Sequence, residues 1–117
     1  MSQQRVEIEI TDKGEYKVLT PTFDLDVYTV GGLRDALGKL IEEESPHVVV
    51  DLDAVPFMDS SGLGALMGGV RRLREAGGDL AIACTREQHL KLFTITGFGE
   101  GVSIAPTVEE AAKGFRS

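Results

Sequence analysis

Residues 47–84 read as strand, helix, strand, and that succession leaves few architectures open. Val48-Val49-Val50-Asp51-Leu52 is a continuous apolar run of strand length, the pattern of a strand buried on both faces. Leu63, Leu66, Met67, Val70 and Leu73 then recur at three- and four-residue spacing, which places them on one face of a helix, and Gly77-Gly78 stops it. Leu80-Ala81-Ile82-Ala83-Cys84 is a second apolar run, made of smaller residues. A strand that returns through a helix to another buried strand forms a crossover, and crossovers build parallel sheets with helices packed against them.

The flanking segments extend the same scheme. Arg5 to Ile10 alternates, with Val6, Ile8 and Ile10 on one side and Glu7 and Glu9 on the other, so it reads as a half-solvated strand. Thr11-Asp12-Lys13-Gly14 is expected to turn the chain into a second strand over 15–20, closing a hairpin. Pro21 to Val27 is irregular and carries two carboxylates, Asp24 and Asp26. Thr29 is expected to cap a helix whose stripe is Val30, Leu33, Leu37, Leu40, Ile41 and Glu44, ended by Ser45-Pro46. After Cys84 come a short helix over 86–94 with Gly97 at its end, a strand at Val102-Ser103-Ile104, and a terminal helix opened by the capping box Thr107-Val108-Glu109-Glu110. The order is β-β-α-β-α-β-α-β-α, a single α/β domain spanning residues 1–117. At this length roughly 60 to 70% of the unfolded surface can be buried.

Composition excludes several functions. The net charge of −7, from 19 acidic and 12 basic side chains, opposes a nucleic-acid surface and attraction to anionic lipid. The single cysteine, Cys84, permits no internal disulfide. No apolar run reaches membrane-spanning length, and Met1-Ser2-Gln3-Gln4-Arg5 leads into no signal-peptide core, so a cytoplasmic protein is expected.

Chemistry concentrates between the 47–52 strand and the central helix, in Phe57-Met58-Asp59-Ser60-Ser61-Gly62-Leu63-Gly64. Asp59, Ser60 and Ser61 fall at a loop-to-helix junction, where capping residues belong and where a phosphate can be held at the positive end of the helix dipole. Ser60 has two readings on local grounds: a helix cap worth about 1 kcal/mol, or an exposed acceptor for phosphorylation. Gly62, Gly64, Gly68 and Gly69 each cost about 1 kcal/mol against Ala inside a helix, so close approach to another backbone or a partner, or tight packing on the sheet, must justify them. No phosphate-binding G-x-x-x-x-G-K occurs, and G-x-S-x-G fails because Met58 and Asp59 precede Ser60. His47 and His89 stand alone and read as structural or surface residues. Asp51, Asp53 and Asp59 read as loop carboxylates, with a divalent-cation site as the alternative. The stretch 48–59 also resembles the phospho-acceptor strand of a receiver domain, but Ile10-Thr11-Asp12 lacks the required acidic pair and too few residues follow Asp51.

The eight-residue motif resembles the signature of bacterial STAS-domain anti-sigma-factor antagonists. Leu25-Asp26-Val27-Tyr28-Thr29 is similar to the family's leucine-aspartate segment, and residues 90–98 to its leucine-phenylalanine…glycine element; the wording of both is closest to actinobacterial members. The resemblance covers essentially the whole chain. It implies the STAS fold, an opening hairpin followed by β/α units in a mostly parallel mixed sheet. It implies a non-enzyme with no cofactor and no metal, phosphorylated on Ser60 (Ser61 as fallback). Its partners would be an anti-sigma factor that is itself a serine kinase and a metal-dependent serine phosphatase, bound through Asp24, Asp26, Asp59, Ser60, Ser61, Gly62, Leu63 and Gly64. The same resemblance implies partner switching in transcription and stress response, in a monomer or weak dimer. Members often carry Gly-Glu or Gly-Arg where this chain has Phe23-Asp24, so the loop beside the motif is expected to differ. The alternative is an unphosphorylated STAS scaffold or accessory subunit of a stress-signalling or lipid-transport complex.

Overall fold

A computed structural model describes residues 8–115. Nine elements follow in the order β1 (Glu9–Asp12), β2 (Lys17–Thr20), α1 (Val30–Glu42), β3 (His47–Asp51), α2 (Ser60–Glu75), β4 (Asp79–Ala83), α3 (Glu87–Thr96), β5 (Ile104–Ala105) and α4 (Val108–Ala112). They form a five-stranded sheet in sequential order, β1-β2-β3-β4-β5, antiparallel between β1 and β2 and parallel elsewhere. Each crossover advances one strand in the same direction and takes the same hand, so α1, α2 and α3 share one face of the sheet. The terminal α4 covers the other.

Strand alternation divides the apolar residues between these faces. Val48 and Val50 of β3, and Leu80 and Ile82 of β4, enter the large core with Leu33, Leu37 and Leu40 of α1, Leu66 and Leu73 of α2, and Phe93 of α3. Val49, Ala81 and Ala83 point the other way and meet Ala111 of α4. Branched chains thus face three helices, while alanines let a helix of five residues lie close to the sheet.

All three long helices close with the same device. Gly77 N–H donates to Arg74 C=O at 3.1 Å and Gly78 N–H to Leu73 C=O at 2.8 Å, a Schellman pair with Gly77 at φ +89°. In α3 the corresponding left-handed residue is Gly97, and Phe98, whose N–H reaches Phe93 C=O at 3.0 Å, stacks its ring on Phe93 at 5.1 Å. In α1 the position is held by Glu44 at φ 60°, with Glu44 N–H on Ile41 C=O and Ser45 N–H on Leu40 C=O. Glu44 therefore lies beyond the helix end and not on its apolar stripe.

Other expectations shift in detail. β1 runs to Asp12 because the turn closes between Lys13 and Tyr16, with Asp12 accepting from Gly14 N–H at 2.8 Å. That register leaves Ile10 exposed while Ile8 packs on the core; Arg5, Val6 and Glu7, like the start at Met1, lie outside the described residues. β4 begins one residue early, at Asp79, and β5 covers only Ile104–Ala105. The capping box at Thr107 is present, Glu110 N–H donating to Thr107 Oγ1 at 3.1 Å. Met67, placed on the buried stripe by its spacing, is 53% exposed: the inward face of α2 is Leu63, Leu66, Val70 and Leu73, with Gly62, Ala65 and Gly69 beside them.

Two stability predictions follow from this packing. A left-handed non-glycine residue is strained by roughly 1–2 kcal/mol; Glu44→Gly is expected to raise the urea midpoint by about 1 kcal/mol of stability without changing the slope, and a loss would refute the strain. Asp79 is 1% exposed, and Arg74 Nε donates to its Oδ1 at 2.8 Å while the same guanidinium reaches Gly101 C=O. Arg74→Met removes one charged partner of a buried carboxylate that keeps Leu80 N–H at 2.9 Å, and is expected to cost about 1.5 kcal/mol, the scale of a hydrogen bond to a charged group, read in the same titration; no measurable loss would exclude the pair as a structural tie.

Candidate functional site

The loops after β2, β3 and β4 meet at the carboxyl end of the parallel strands, where open α/β sheets present their sites. The loop after β3 starts with Leu52 and Val55, both fully buried, so it is plugged into the core before it reaches α2. Its end lies against the loop after β2. Leu25 and Met58 form an isolated parallel bridge, with Leu25 N–H donating to Phe57 C=O at 2.9 Å and Asp59 N–H to Leu25 C=O at 3.2 Å. The leucine-aspartate segment is thereby placed beside the serine motif.

The first turn of α2 explains one glycine. A Cβ on Gly62 would lie 2.7 Å from Met58 Cγ, 2.8 Å from Leu25 O and 2.9 Å from Leu25 Cβ, so only glycine lets the helix start against this bridge. Gly69 serves packing too, against Leu37 and Leu80. A Cβ at Gly64 or Gly68 would meet no atom within 4 Å. The four glycines thus divide between tight packing and an open face.

Asp59, and neither serine, is the cap. Its backbone is extended (φ −107°, ψ −169°), and Oδ1 accepts from Ser61 N–H at 2.8 Å and Gly62 N–H at 3.3 Å. Ser60 is the first residue of α2, exposed, and its hydroxyl makes no hydrogen bond among the described residues. The capping reading of Ser60 is therefore replaced. Ser61 is half-buried. Because Asp59 already holds two amides of the helix end, an anion on Ser60 would find part of the N-terminal seat occupied by a carboxylate.

The neighbouring loop is held by Thr29, though not as expected. Thr29 occupies the N-cap position of α1 without capping it; its hydroxyl donates to Asp24 C=O at 2.6 Å and accepts from Asp26 N–H at 3.0 Å. Asp26 in turn accepts from Tyr28 N–H at 2.9 Å. Phe23 is half-buried against the core with an ordinary negative φ, so the segment needs no glycine there.

Of the residues singled out in the sequence, Asp24, Ser60 and Gly64 are exposed, Asp26, Asp59 and Ser61 half-buried, and Gly62 and Leu63 buried. The last two shape the surface from beneath. Sequence patterning missed the apolar side chains around them: Tyr28 (90% exposed) and Val27 beside Asp26, Phe57 (51%) before the motif, and Met67, which follows Ser60 and Gly64 at helical spacing. An apolar residue inside a loop without periodicity is the signal that marks the first three.

The acidic cluster is dispersed into local roles. Asp51 accepts from Asp53 N–H, Asp53 from Thr85, and Asp59 caps α2. Among the described residues no group of three or more His, Cys, Asp or Glu is placed to hold a metal ion. His47 lies edge-on to Phe115 at 5.3 Å, and His89 is buried. Burial also raises the pKa of the Cys84 thiol, which keeps it protonated within the core. No helix among the described residues is long and apolar enough to cross a membrane.

Comparison with known proteins agrees with this arrangement. A model of the STAS domain matches residues 7–111. An anti-sigma-B factor antagonist of Staphylococcus aureus is 32% identical over 90 residues, 77% of this chain and 83% of that protein. The crystal structure of an anti-sigma factor antagonist from Mycobacterium paratuberculosis superposes with a TM-score of 0.81 at 23% identity, covering 91% and 90% of the two chains. The Bacillus cell fate determinant SpoIIAA in its phosphorylated form superposes with a TM-score of 0.70 at 25% identity, covering 91% and 96%. From a family model that spans the sheet, its helices and the serine motif together, this chain belongs to the STAS domain family.

Proposed function

We propose that this chain is an anti-sigma factor antagonist switched by phosphorylation of Ser60. In this reading the unmodified protein binds an anti-sigma factor that is itself a serine kinase and so frees the sigma factor; modification ends the binding, and a metal-dependent serine phosphatase restores it. The protein acts in the cytoplasm as one domain, contributes no catalytic residue and needs no cofactor. The names of the relatives support the class of partner. The observation that carries the choice of residue is that Asp59 caps α2, leaving the exposed Ser60 hydroxyl without a structural task.

The surface suits such a partner. Tyr28, Val27, Phe57 and Met67 supply apolar area, and Gly64 and Gly68 let another backbone approach α2 closely. Asp24 and Asp26 add negative charge. A phosphate would bring about −1.5 to −2 more beside a helix end whose Ser61 and Gly62 amides already serve Asp59. Its effect is thus bulk and repulsion at the docking face, with the fold unchanged.

Two measurements test this. Intact mass after incubation with candidate anti-sigma serine kinases and ATP is expected to show one added phosphate, mapped to Ser60; stable binding without modification would move the chain to the scaffold reading. For binding itself, Ser60→Ala is expected to match the unmodified protein in affinity, and Ser60→Asp to bind at least about tenfold more weakly, the scale of an uncompensated charge at an interface. Equal dissociation constants for the two variants, measured by calorimetry, would refute the switch.

A further inference from the structure

The loop that presents Ser60 is gripped from its other side by the segment leading into α3 and by the first turn of α3. Asp53 Oδ1 accepts from both the N–H of Thr85 at 2.6 Å and its hydroxyl at 3.1 Å. The carbonyl of Asp53 accepts from Arg86 Nε at 2.7 Å. Two residues further, the carbonyl of Val55 lies 2.7 Å from Nε2 of His89, an imidazole only 2% exposed. A carbonyl can only accept, so Nε2 carries the proton and donates. Residues 85–89 thus hold three groups of Asp53 and Val55, while the Leu25–Met58 bridge holds the far end of the same loop.

A buried donor satisfied by one loop carbonyl is a strong local restraint, because breaking that bond leaves two polar groups dry. We propose that His89, with Arg86 and Thr85, is a positioning residue for the modification of Ser60: it fixes the path of residues 53–59 and hence the place at which α2 offers its first hydroxyl to the kinase. This rests on the reading of Ser60 as the acceptor. None of the three side chains touches the reacting hydroxyl; they act through the loop. Phosphoryl transfer gains most of its rate from alignment, so slackening the loop is felt in the reaction more than in the global fold.

The experiment compares the wild-type chain with His89→Leu, His89→Gln and the double variant Thr85→Val, Arg86→Gln. Amide hydrogen exchange is followed on the protein alone, and kinetics of Ser60 phosphorylation with the anti-sigma kinase and ATP. His89→Leu fills similar volume without a donor; it is expected to speed exchange across 53–59 selectively, relative to β3 and β4, and to lower kcat/KM about tenfold. His89→Gln, which can donate to the Val55 carbonyl, is expected to restore most of both, which mere filling of the cavity would not do. The double variant alters exposed side chains and keeps the test open should His89→Leu fail to fold; it is expected to loosen exchange at Asp53 and slow phosphorylation. Unchanged kcat/KM in variants that fold, with or without faster loop exchange, would overturn the inference. If the wild-type chain accepts no phosphate at all, the reading of Ser60 fails instead, and the exchange data show separately whether the clasp holds the loop.

Discussion

The contact on which the site depends is the close approach of Leu25 to the first turn of α2. Met58, Gly62 and Leu25 occupy one volume, and the missing side chain of Gly62 is what makes room. From that contact follow the bridge between two loops, the extended backbone of Asp59 and the position of Ser60. An alanine at 62 would force either the helix start or the leucine-aspartate segment to move, because two of the three clashing atoms belong to Leu25, one of them backbone. The glycine lowers intrinsic helix stability, and the tertiary contact it permits offsets that loss.

The pair Asp59 and Ser60 shows how adjacent residues divide a helix end. A carboxylate is the better occupant of the cap, since it accepts two amides at once and carries the charge that the dipole favours. Once it is there, the next side chain has no backbone donor to serve and points to solvent. A hydroxyl bonded into the cap would have to break that bond to react. A free one does not.

Much of the architecture was legible because periodicity reports burial directly. Strands β3 and β4 appear as apolar runs and α1 as a stripe of leucines, and the glycines at 77 and 97 mark helix ends because left-handed backbone excludes most other residues. Failures came where one residue had two spacings open to it. Met67 fits the i, i+4 pattern from Leu63, yet Leu66 and Val70 already fill the inward arc, which leaves Met67 outside. Thr29 has the right chemistry for a cap, but the carbonyl of Asp24 offers its hydroxyl a bond across five residues that no local rule anticipates. Asp79 and His89 were opaque for the same reason. Each is a buried polar residue bonded to another segment, Asp79 to Arg74 and His89 to the Val55 carbonyl.

Those long-range polar contacts also explain why the site can sit on loops and still be well placed. Loops seldom hold a fixed geometry unless their own backbone groups are bound. Here the segment after β3 has its carbonyls at Asp53, Val55 and Phe57 engaged by Arg86, His89 and Leu25 in turn, from both flanks. The apolar anchors Leu52, Val55 and Met58 lie along the same stretch, residue 55 serving in both ways. A segment bound at nearly every step has little freedom left to respond to a new charge at its end. On the proposed switch, the effect of a phosphate at Ser60 is therefore carried outward, to a partner docked over the exposed Tyr28, Phe57 and Met67, and not inward to the sheet.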